Sequence, residues 1–404
     1  MPLLYNIGIQ IMYLIILIRS FFSKKEREWL LVRKGWVKNL KSEIKNQNNI
    51  VWFHCASAGE FEQAIPLIKA YREKSPQHKI LLTFFSISGF KMMETKKIDV
   101  DWTFNLPLDT ESNAKLFLEI TKPIKVFFIK YEFWFNYMKE IKERNIPIYF
   151  VSSLFRPNQL FFKNKWWGNQ LKNVDHFFVQ NQHSRELLLN LNINRVTVSG
   201  DTRFDRVYFR KKEERDLDKP IWLNNFLRKK QTIIAGSTWK KDEDILFEFI
   251  KSHSNFNFII VPHDPERSLS VSKRFNAMLY SNEKRKEDRL SFQRNNMLVI
   301  DRLGLLFSLY KYASIAYIGG GFDKGIHNIL EPACFGKPII FGPNYKKFKE
   351  AYDLIELKGA ESILDFSQLR DSIYRFQKFE NKLTKDYMSN KCGATEKIIK
   401  EIVN

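Results

Sequence analysis

The sequence predicts an α/β protein built from two Rossmann-like domains, with an apolar helix at its N-terminus. Apolar runs typical of buried strands alternate with helical patterns along most of the chain, and this alternation is interrupted at residues 206–230. Such alternation is typical of parallel sheets with helices on both faces. The length of 404 residues also exceeds what one hydrophobic core usually holds. We therefore expect two domains of similar size.

The N-terminal segment, residues 1–18, contains no charged side chain. Folded as a helix, it would be about 27 Å long, close to the thickness of the hydrocarbon layer of a membrane. Neither the basic start nor the small-residue cleavage site of a signal peptide is visible. We expect residues 1–22 to form a membrane-anchor helix that spans the bilayer or lies in its interface. Because Asn6 and Gln10 interrupt the apolar run, a soluble core helix is the alternative.

The first predicted domain covers residues 23–205 and begins with a basic helical connector that ends near Lys45. Strand-like runs follow at 50–55, 79–85, 126–130, 146–152, 174–180 and 195–200. Helical patterns between them predict helices over 60–74, from about 88, over 133–144 and over 182–191. This order predicts a parallel sheet.

Residues 206–230 are strongly charged and lose the alternation, so we interpret them as a linker. The second predicted domain covers residues 231–385, and a C-terminal helix is expected over 386–404. Its strand-like runs lie at 232–238, 257–262, 296–301, 314–321 and 337–342. Its helices are expected over 240–251, 266–279, 304–312, 329–335 and 346–358.

The chain is strongly basic, with 66 Lys and Arg against 45 Asp and Glu and a net charge of +21. This excess favours an anionic partner, which could be a membrane surface or nucleic acid. No signature of a known nucleic-acid-binding module is visible, so a membrane-tethered nucleic-acid-binding protein is the weaker alternative. Arg19, Lys24, Lys25 and Arg27, which follow the apolar segment, favour the cytoplasmic side for the rest of the chain. The three cysteines have no metal-ligand spacing, and we expect no metal site.

Residues that could carry chemistry follow the predicted strands, where open α/β sheets bind their ligands. In the first domain, Glu60 lies in "SAGE", between the strand 50–55 and a helix. An acid at this position interacts favourably with the helix dipole, by about 0.3–1 kcal/mol. A carboxylate at the mouth of a cleft could equally act as a general base. The local sequence leaves both interpretations open.

In the second domain, two segments suggest a site for phosphate and ribose. Ser237 and Thr238 lie between a strand and a helix, where hydroxyl and backbone N–H groups could bind an anion, although Ser and Thr are also common helix caps. Three glycines at 319–321 end a later strand, and Glu331 lies at the start of the next helix, where it could bind ribose hydroxyls. A glycine-rich turn before a capped helix is the alternative. The glycine spacing matches neither a dinucleotide-binding motif nor a P-loop.

Taken together, these motifs resemble those of the 3-deoxy-D-manno-octulosonic acid (Kdo) transferases, membrane-anchored glycosyltransferases of lipopolysaccharide synthesis. The resemblance rests on six motifs in the family's order: "SAGE" (57–60), "EFW" (132–134), "GDTRFD" (200–205), "AGST" (235–238), "PHDPER" (262–267) and "HNILEPACFGKP" (327–338). It implies the GT-B arrangement, with a cleft between the two Rossmann-like domains. It also implies the inverting transfer of Kdo from CMP-Kdo to a lipid A precursor (lipid IV-A), with no cofactor. The place of action would be the cytoplasmic face of the inner membrane of a Gram-negative bacterium.

The resemblance assigns a role to individual residues. Glu60 would be the catalytic base, and Lys130 and Arg203 would stabilise the transition state. The positions that would contact CMP, besides the anion site at Ser237 and Thr238, are Pro262, His263, Leu303, Gly304, Leu305, Asn328, Ile329, Leu330 and Glu331.

The chain also departs from the family's pattern. The family usually has a second acid at position 130, Arg-His at 263–264, Lys at 203, Met-Gly-Glu at 303–305 and Gly at 326. Another GT-B glycosyltransferase, or a sugar-nucleotide epimerase with a different donor, is the alternative enzyme.

Overall fold

Every paired strand in this protein runs parallel to its neighbour, as the alternating sequence pattern predicts. The computed structural model describes residues 2–45, 47–96, 98–130, 133–213, 223, 226–227, 230–281, 296–379 and 382–403. The chain divides into two compact units, Met1–Arg206 with Lys391–Asn404, and Val207–Asn390. Each unit contains one seven-stranded sheet. The predicted pair of Rossmann-like α/β domains is thus confirmed.

The sheet of the first unit has the order β3-β2-β1-β4-β5-β6-β7. Its strands are β1 (Ile50–Cys55), β2 (Lys79–Phe84), β3 (Trp102–Asn105), β4 (Lys125–Ile129), β5 (Ile148–Ser153), β6 (His176–Val179) and β7 (Val196–Val198). The order along the chain reverses between β1 and β4, and ligands of open α/β sheets bind at such a reversal. The sequence analysis missed the edge strand β3 because it is short and only partly buried.

Strand β1 lies at the centre of the first unit, and all six of its residues are buried. Ile50 and Trp52 pack on one face of the sheet, and Val51, Phe53 and Cys55 pack on the other. This explains why its sequence, apart from His54, is an apolar run rather than an alternating one. The helices of this unit are α1 (Pro2–Ser20), α2 (Lys24–Leu31), α3 (Trp36–Glu43), α4 (Ala58–Lys74), α5 (Ile87–Thr95), α6 (Glu111–Thr121), α7 (Phe135–Glu143), α8 (Leu160–Lys163), α9 (Lys165–Gln170), α10 (Gln182–Leu189) and α11 (Thr202–Glu213).

Helix α11 begins in the first unit and extends past residue 206, so the segment predicted as a linker starts inside a helix. Most of the remaining predicted linker lies outside the described residues. The C-terminal segment, predicted as one helix over 386–404, instead forms two helices that are separated at Gly393, where φ is +100°. The second of these helices packs against α4 through Ile398, Ile399 and Ile402. It therefore belongs to the first unit.

The carboxylate of Asp205 fixes the start of this last helix. It accepts hydrogen bonds from the backbone N–H groups of Gly393 and Thr395, each at 2.6 Å, and from the Thr395 hydroxyl at 2.7 Å. The unpaired N–H groups of a helix N-terminus are satisfied in this way. Asp205, the last residue of "GDTRFD", thus has a structural role.

The second unit repeats the same topology, in the order β10-β11-β9-β8-β12-β13-β14. Its strands are β8 (Thr232–Thr238), β9 (Asn257–Pro262), β10 (Met278–Leu279), β11 (Met297–Val299), β12 (Ile315–Ile318), β13 (Ile339–Phe341) and β14 (Ala360–Ser362). The order along the chain reverses between β8 and β12. The α-helices that follow α11 along the chain are α12 (Lys240–Ser252), α13 (Ser268–Phe275), α14 (Leu306–Tyr310), α15 (Leu330–Cys334), α16 (Lys349–Glu356), α17 (Phe366–Phe376), α18 (Lys382–Lys391) and the final helix of the first unit, α19 (Ala394–Val403).

Three elements of the second unit differ from the prediction. The helix predicted over 266–279 ends at Phe275, because Asn276 adopts a left-handed conformation that leads into β10. The short strand β14 and the helix α17 were missed. Strand β14 has only three residues, too few to show a periodic pattern.

Helix α1 lies with one edge on the first unit and exposes most of its apolar side chains. By length and composition it could cross a membrane. The Tyr5 hydroxyl donates a hydrogen bond to the carboxylate of Asp109, and the Asn136 side-chain amide donates to Asn6 Oδ1 at 2.9 Å. Ile9 is buried on the same edge. The exposed apolar residues are Leu3, Leu4, Ile7, Ile11, Leu14, Ile15 and Ile18. Asn6, which interrupts the apolar run in the sequence, thus attaches the helix to the unit.

Replacing Asp109 with alanine should loosen α1 and destabilise the first unit. Asp109 also accepts hydrogen bonds from the backbone N–H groups of Asn136 and Tyr137 at the start of α7. Each buried donor left without an acceptor costs about 1–3 kcal/mol. We expect Asp109→Ala to lower the free energy of unfolding and to speed up hydrogen exchange in residues 2–20. Asp99→Ala is the control, since the Asp99 side chain is 80% exposed.

The loss of unfolding free energy caused by Asp109→Ala should also depend on pH. Burial raises the pKa of Asp109 to about 6, although the hydrogen bonds it accepts oppose this shift. Since the folded pKa exceeds the unfolded one, the wild-type protein loses stability from this group as pH rises. The free-energy difference between wild type and variant should shrink by about 2 kcal/mol between pH 4.5 and 7. Urea unfolding at several pH values measures this, and a constant difference would contradict it.

Candidate active site

Glu60 is held at the start of α4 by a reciprocal pair of hydrogen bonds with Ser57. The Ser57 backbone N–H donates to Glu60 Oε2 at 2.9 Å, and the Glu60 backbone N–H donates to the Ser57 hydroxyl at 3.4 Å. This is a capping box. The helix-cap interpretation of Glu60 therefore has a basis in the structure. A carboxylate can accept several hydrogen bonds at once, so capping does not prevent it from accepting a proton as well.

Lys130 lies at the carboxyl end of β4, next to the end of β1 in the sheet. Its φ is +71°, a conformation that non-glycine residues rarely adopt. The Lys130 backbone N–H donates to Val151 O at 2.8 Å, and the Ser153 hydroxyl donates to Lys130 O at 3.1 Å. Such strained conformations cost about 1–3 kcal/mol and cluster at functional sites. The loops that carry Glu60 and Lys130 thus flank the reversal in strand order.

Arg203 is joined to the helix of Glu60 through a buried aspartate. Arg203 Nε donates to Asp201 Oδ2 at 2.8 Å, and the Gln63 side-chain amide donates to Asp201 Oδ1 at 3.0 Å. Gln63 lies one turn after Glu60 on α4, and both Gln63 and Asp201 are buried. This network fixes the orientation of the guanidinium relative to α4. The structure thereby links two of the three predicted catalytic residues.

An ion pair also connects α4, the helix of Glu60, to α11, the helix of Arg203. Arg206 Nε donates to Glu62 Oε2 at 2.6 Å, and Lys96 Nζ lies 3.2 Å from Glu62 Oε1. Burial favours the neutral form of Glu62, but the two cations outweigh it and lower the pKa of this carboxyl. Glu62 therefore stays ionised and holds the start of α11 against α4. The sequence analysis did not single out Glu62 or Arg206.

The "EFW" motif is only partly described, because Glu132 lies outside the described residues. Trp134 Nε1 donates a hydrogen bond to His54 Nε2 at 3.2 Å. His54 Nδ1 lies 2.8 Å from the Thr83 hydroxyl oxygen. Since Nε2 accepts the hydrogen bond from Trp134, the ring proton lies on Nδ1, which donates a hydrogen bond to the Thr83 hydroxyl oxygen. The tryptophan thus connects the loop after β4 to the end of β1.

In the second unit, the residues predicted to contact CMP lie at one edge of the sheet. They follow the strands β11, β9, β8 and β12, which are consecutive neighbours. Thr238 ends β8 and Pro262 ends β9. His263 follows directly, and its backbone N–H donates to Thr238 O at 3.0 Å. The remaining residues, Ser237, Leu303, Gly304, Leu305, Asn328, Ile329, Leu330 and Glu331, lie within β8 or after β11 and β12.

The glycine-rich turn after β12 packs tightly against the end of β8. A Cβ atom on Gly319 would lie 2.3 Å from Ser237 O, and Gly320 has a φ of +88°. Ser237 itself has a φ of +54°. The carboxylate of Asp242 accepts hydrogen bonds from the backbone N–H groups of Trp239 at 2.8 Å and Gly320 at 2.9 Å. Asp242 therefore ties together the two loops that flank the reversal.

Three aromatic rings stack beside these loops. The centroid of the His263 ring lies 4.7 Å from that of Trp239 and 4.4 Å from that of His327. Trp239 Nε1 donates a hydrogen bond to His327 Nε2 at 3.0 Å. Burial and the neighbouring His263 lower the pKa of His327 to about 4, and burial also lowers the pKa of His263. Both rings are therefore neutral at pH 7. The sequence analysis missed Trp239, although it directly follows Thr238 at a strand end.

Glu331 lies in the first turn of α15 and contacts a cation from α11. Arg210 Nη1 donates to Glu331 Oε1 at 3.4 Å. The Leu330 backbone N–H donates to Asn328 Oδ1 at 3.1 Å, which helps to order the start of the helix. Gly304 has a φ of +92° in a turn, and α14 begins only at Leu306. Within the described residues, no group of three or more His, Cys, Asp or Glu side chains could hold a metal ion.

Comparison with known proteins gives matches over most of the chain. Residues 30–206 match the family model described as 3-deoxy-D-manno-octulosonic-acid transferase (kdotransferase). The 3-deoxy-D-manno-octulosonic acid transferase of Aquifex aeolicus is 30% identical over 331 residues, which cover 79% of this chain and 83% of that protein. The protein of the same name from Rickettsia bellii is 27% identical over 382 residues, which cover 91% and 90% of the two chains.

Among solved structures, the UDP-GlcNAc 2-epimerase from Neisseria meningitidis, bound to UDP-GlcNAc, is similar in fold. Its TM-score is 0.57 at 18% sequence identity, and the match covers 88% of this chain and 99% of that one. At this identity the likeness concerns the fold alone, two parallel-sheet α/β domains as in GT-B glycosyltransferases. The relatives found by sequence identify the family as well as the fold. By its identity to the Aquifex protein, the chain belongs to the 3-deoxy-D-manno-octulosonic acid transferase family of glycosyltransferases.

Proposed function

We propose that this protein transfers Kdo from CMP-Kdo to a hydroxyl group of a lipid A precursor, lipid IV-A, with Glu60 as the general base. The observation that carries the proposal is the place of Glu60. Its loop follows β1 at the point where the strand order reverses, and the loop of the strained Lys130 follows the neighbouring strand β4. Ligands of such sheets bind at this point. Family membership supplies the reaction.

In this mechanism, the Glu60 carboxylate accepts the proton of the acceptor hydroxyl while the oxygen of that hydroxyl attacks the anomeric carbon of Kdo. The bond between that carbon and the phosphate oxygen breaks at the same time, and CMP leaves with the electron pair. Attack from the face opposite CMP inverts the configuration. Arg203, oriented by Asp201, and Lys130 would stabilise negative charge as it develops. No cofactor is needed for these steps.

The second unit would bind the CMP part of the donor. Its groups lie at the carboxyl edge of four adjacent strands, and backbone atoms of the loops at Ser237 and Leu303–Leu305 can approach a nucleotide closely. Glu331 would accept hydrogen bonds from the ribose hydroxyls, with Arg210 orienting its carboxylate. The neutral pair His263 and His327 would offer ring faces and hydrogen bonds rather than positive charge.

The place of action would be the cytoplasmic face of the inner membrane. Helix α1 exposes apolar side chains along most of its length, and Phe21 and Phe22 after it are also exposed. The net charge of +21 favours an anionic membrane surface. Basic residues directly after α1 favour the cytoplasmic side.

Replacing Glu60 with glutamine should separate its two roles. Glutamine can maintain the capping box, but it cannot accept the proton. We expect Glu60→Gln to lower kcat by about 10²–10⁴-fold, with little change in thermal stability. The assay incubates the protein with CMP-Kdo and lipid IV-A and follows the mass of the lipid.

Ser57→Ala is the matched control for the helix cap. It removes the hydroxyl acceptor and should cost about 0.5–2 kcal/mol of stability, while its effect on kcat stays far smaller than that of Glu60→Gln. If the two variants lost activity in parallel with stability, Glu60 would be a cap and not the base. If wild type converted a sugar nucleotide without an acceptor, the epimerase alternative would be favoured.

Glu331→Ala should chiefly weaken binding of the donor. Losing hydrogen bonds to a charged acceptor costs about 1.5–3 kcal/mol, so the KM for CMP-Kdo should rise at least tenfold with a smaller change in kcat. Titration calorimetry with CMP provides a direct measurement. Glu356→Ala, on the exposed end of α16, is the control. An unchanged affinity for CMP would refute the proposed role of Glu331.

A further inference from the structure

A largely apolar cavity of about 660 Å³ opens in the first unit between α1 and the segment that follows β5. Its walls are mostly aromatic, and the residues that matter here are Tyr5, Ile9, Phe133, Trp134, Phe161 and Trp167. The volume lies within the range of about 300–1,000 Å³ that is usual for sites of small molecules. Its size and lining therefore suit an apolar ligand or the apolar part of a larger one.

The walls of this cavity are held in place by contacts between rings. The Phe133 ring centroid lies 4.5 Å from that of Phe161 and 4.7 Å from that of Phe150. The Tyr5 ring centroid lies 5.8 Å from that of Trp167. Because each wall residue packs against another part of the unit, the cavity is largely formed before a ligand binds.

The cavity lies at the same edge of the sheet as the proposed base. Phe133 and Trp134 follow β4, whereas Phe161 and Trp167 follow β5, which is the next strand in the sheet. The hydrogen bond from Trp134 to His54 connects one wall directly to β1, and the loop after β1 carries Glu60. A ligand in this cavity would therefore lie beside the loops of the proposed acceptor site.

The segment that supplies one wall of the cavity is basic. Residues 154–173 contain no Asp or Glu and carry the four basic residues Arg156, Lys163, Lys165 and Lys172. All four are exposed, and the first three lie beside the lining residues 158–167 in the sequence. At the rim, Leu160 is 60% exposed and continues the apolar lining outwards. An apolar lining in a segment with exposed cations suits an amphiphile that has a hydrocarbon chain and an anionic group.

We propose that this cavity binds a fatty-acyl chain of the acceptor lipid, with the lipid's phosphate near Arg156, Lys163 and Lys165. The inference rests on the proposed function, since it assigns the ligand to the acceptor rather than to the surrounding bilayer. Tyr5 and Ile9 place one edge of α1 in the cavity wall, and the same helix exposes a row of apolar side chains that would contact the membrane. Binding of the chain would hold the sugar hydroxyl near Glu60.

A negative charge introduced at the mouth of the cavity tests the proposal, because it should reduce the preference of the protein for acylated over deacylated acceptor. Leu160→Asp places a carboxylate at the mouth of the cavity, at the first position of α8, where an acid is compatible with the helix. We expect the ratio of kcat/KM for tetra-acylated over fully deacylated acceptor to fall about tenfold. Leu364→Asp, at a leucine of the second unit that is 62% exposed, is the matched control and should leave the ratio unchanged. Equal ratios in the two variants would overturn the proposal.

A photoactivatable fatty acid provides a test that does not depend on activity. With the full chain in vesicles of phosphatidylethanolamine and phosphatidylglycerol, the diazirine probe should label peptides that contain residues 133–134 and 160–167. Excess acceptor lipid should suppress this labelling, and so should Leu160→Asp, but not Leu364→Asp. Labelling confined to the exposed face of α1, or labelling that the acceptor lipid does not suppress, would show contact with bulk bilayer lipid only and would overturn the proposal.

The two tests also separate this inference from the proposed function. If wild type transferred Kdo to neither acceptor while labelling of the cavity was suppressed by the acceptor lipid, the proposed reaction would fail and the acyl site would stand. If Kdo transfer occurred without any preference for acyl chains and without labelling of the cavity, the reaction would stand and the acyl site would fail.

Discussion

The parallel arrangement of the strands is the constraint on which the rest of each unit depends. In a parallel sheet all strands end at the same edge, so the loops that lead from strands into helices gather there. Helix N-termini at this edge also present unpaired N–H groups. In the first unit, Glu60 and Lys130 follow adjacent strands at the reversal in strand order. In the second unit, Thr238 and the glycine turn at Gly319 occupy the equivalent position.

Glu60 combines an observed structural role with the proposed catalytic one. Its hydrogen bonds with Ser57 fix the side chain at the start of α4. A general base must be held in position to act efficiently, because each misplacement lowers the rate. Gln63, on the next turn of the same helix, holds Asp201, and Asp201 in turn orients Arg203. The interpretations of Glu60 as a cap and as a base, which the sequence left open, are therefore compatible: capping would be the means by which the base is positioned.

Sequence reasoning worked where the local signal and the tertiary environment agree. Buried strands such as β1 and β9 are mostly apolar runs, and most of the candidate residues were found by looking just after such strands. It failed where a contact distant in sequence decides the outcome. Asp205 and Gly393 are 188 residues apart, and their hydrogen bond fixes the start of a helix that no local pattern delimits. Trp239 likewise stacks against His263 and His327, which come from other loops, so the sequence around Trp239 does not reveal these contacts.

The position of the N-terminal helix α1 is set by polar contacts, although most of its side chains are apolar. A purely apolar span would need no hydrogen bonds to the domain, yet Tyr5 and Asn6 bond to Asp109 and Asn136. Removing these polar groups from their partners and placing them in hydrocarbon would cost several kcal/mol. These hydrogen bonds therefore favour the position of α1 along the domain over one in which Tyr5 and Asn6 enter hydrocarbon. One compact unit holds the apolar side chains that α1 exposes, the cavity beside α1 and the loop of Glu60, an arrangement that suits the proposed lipid acceptor.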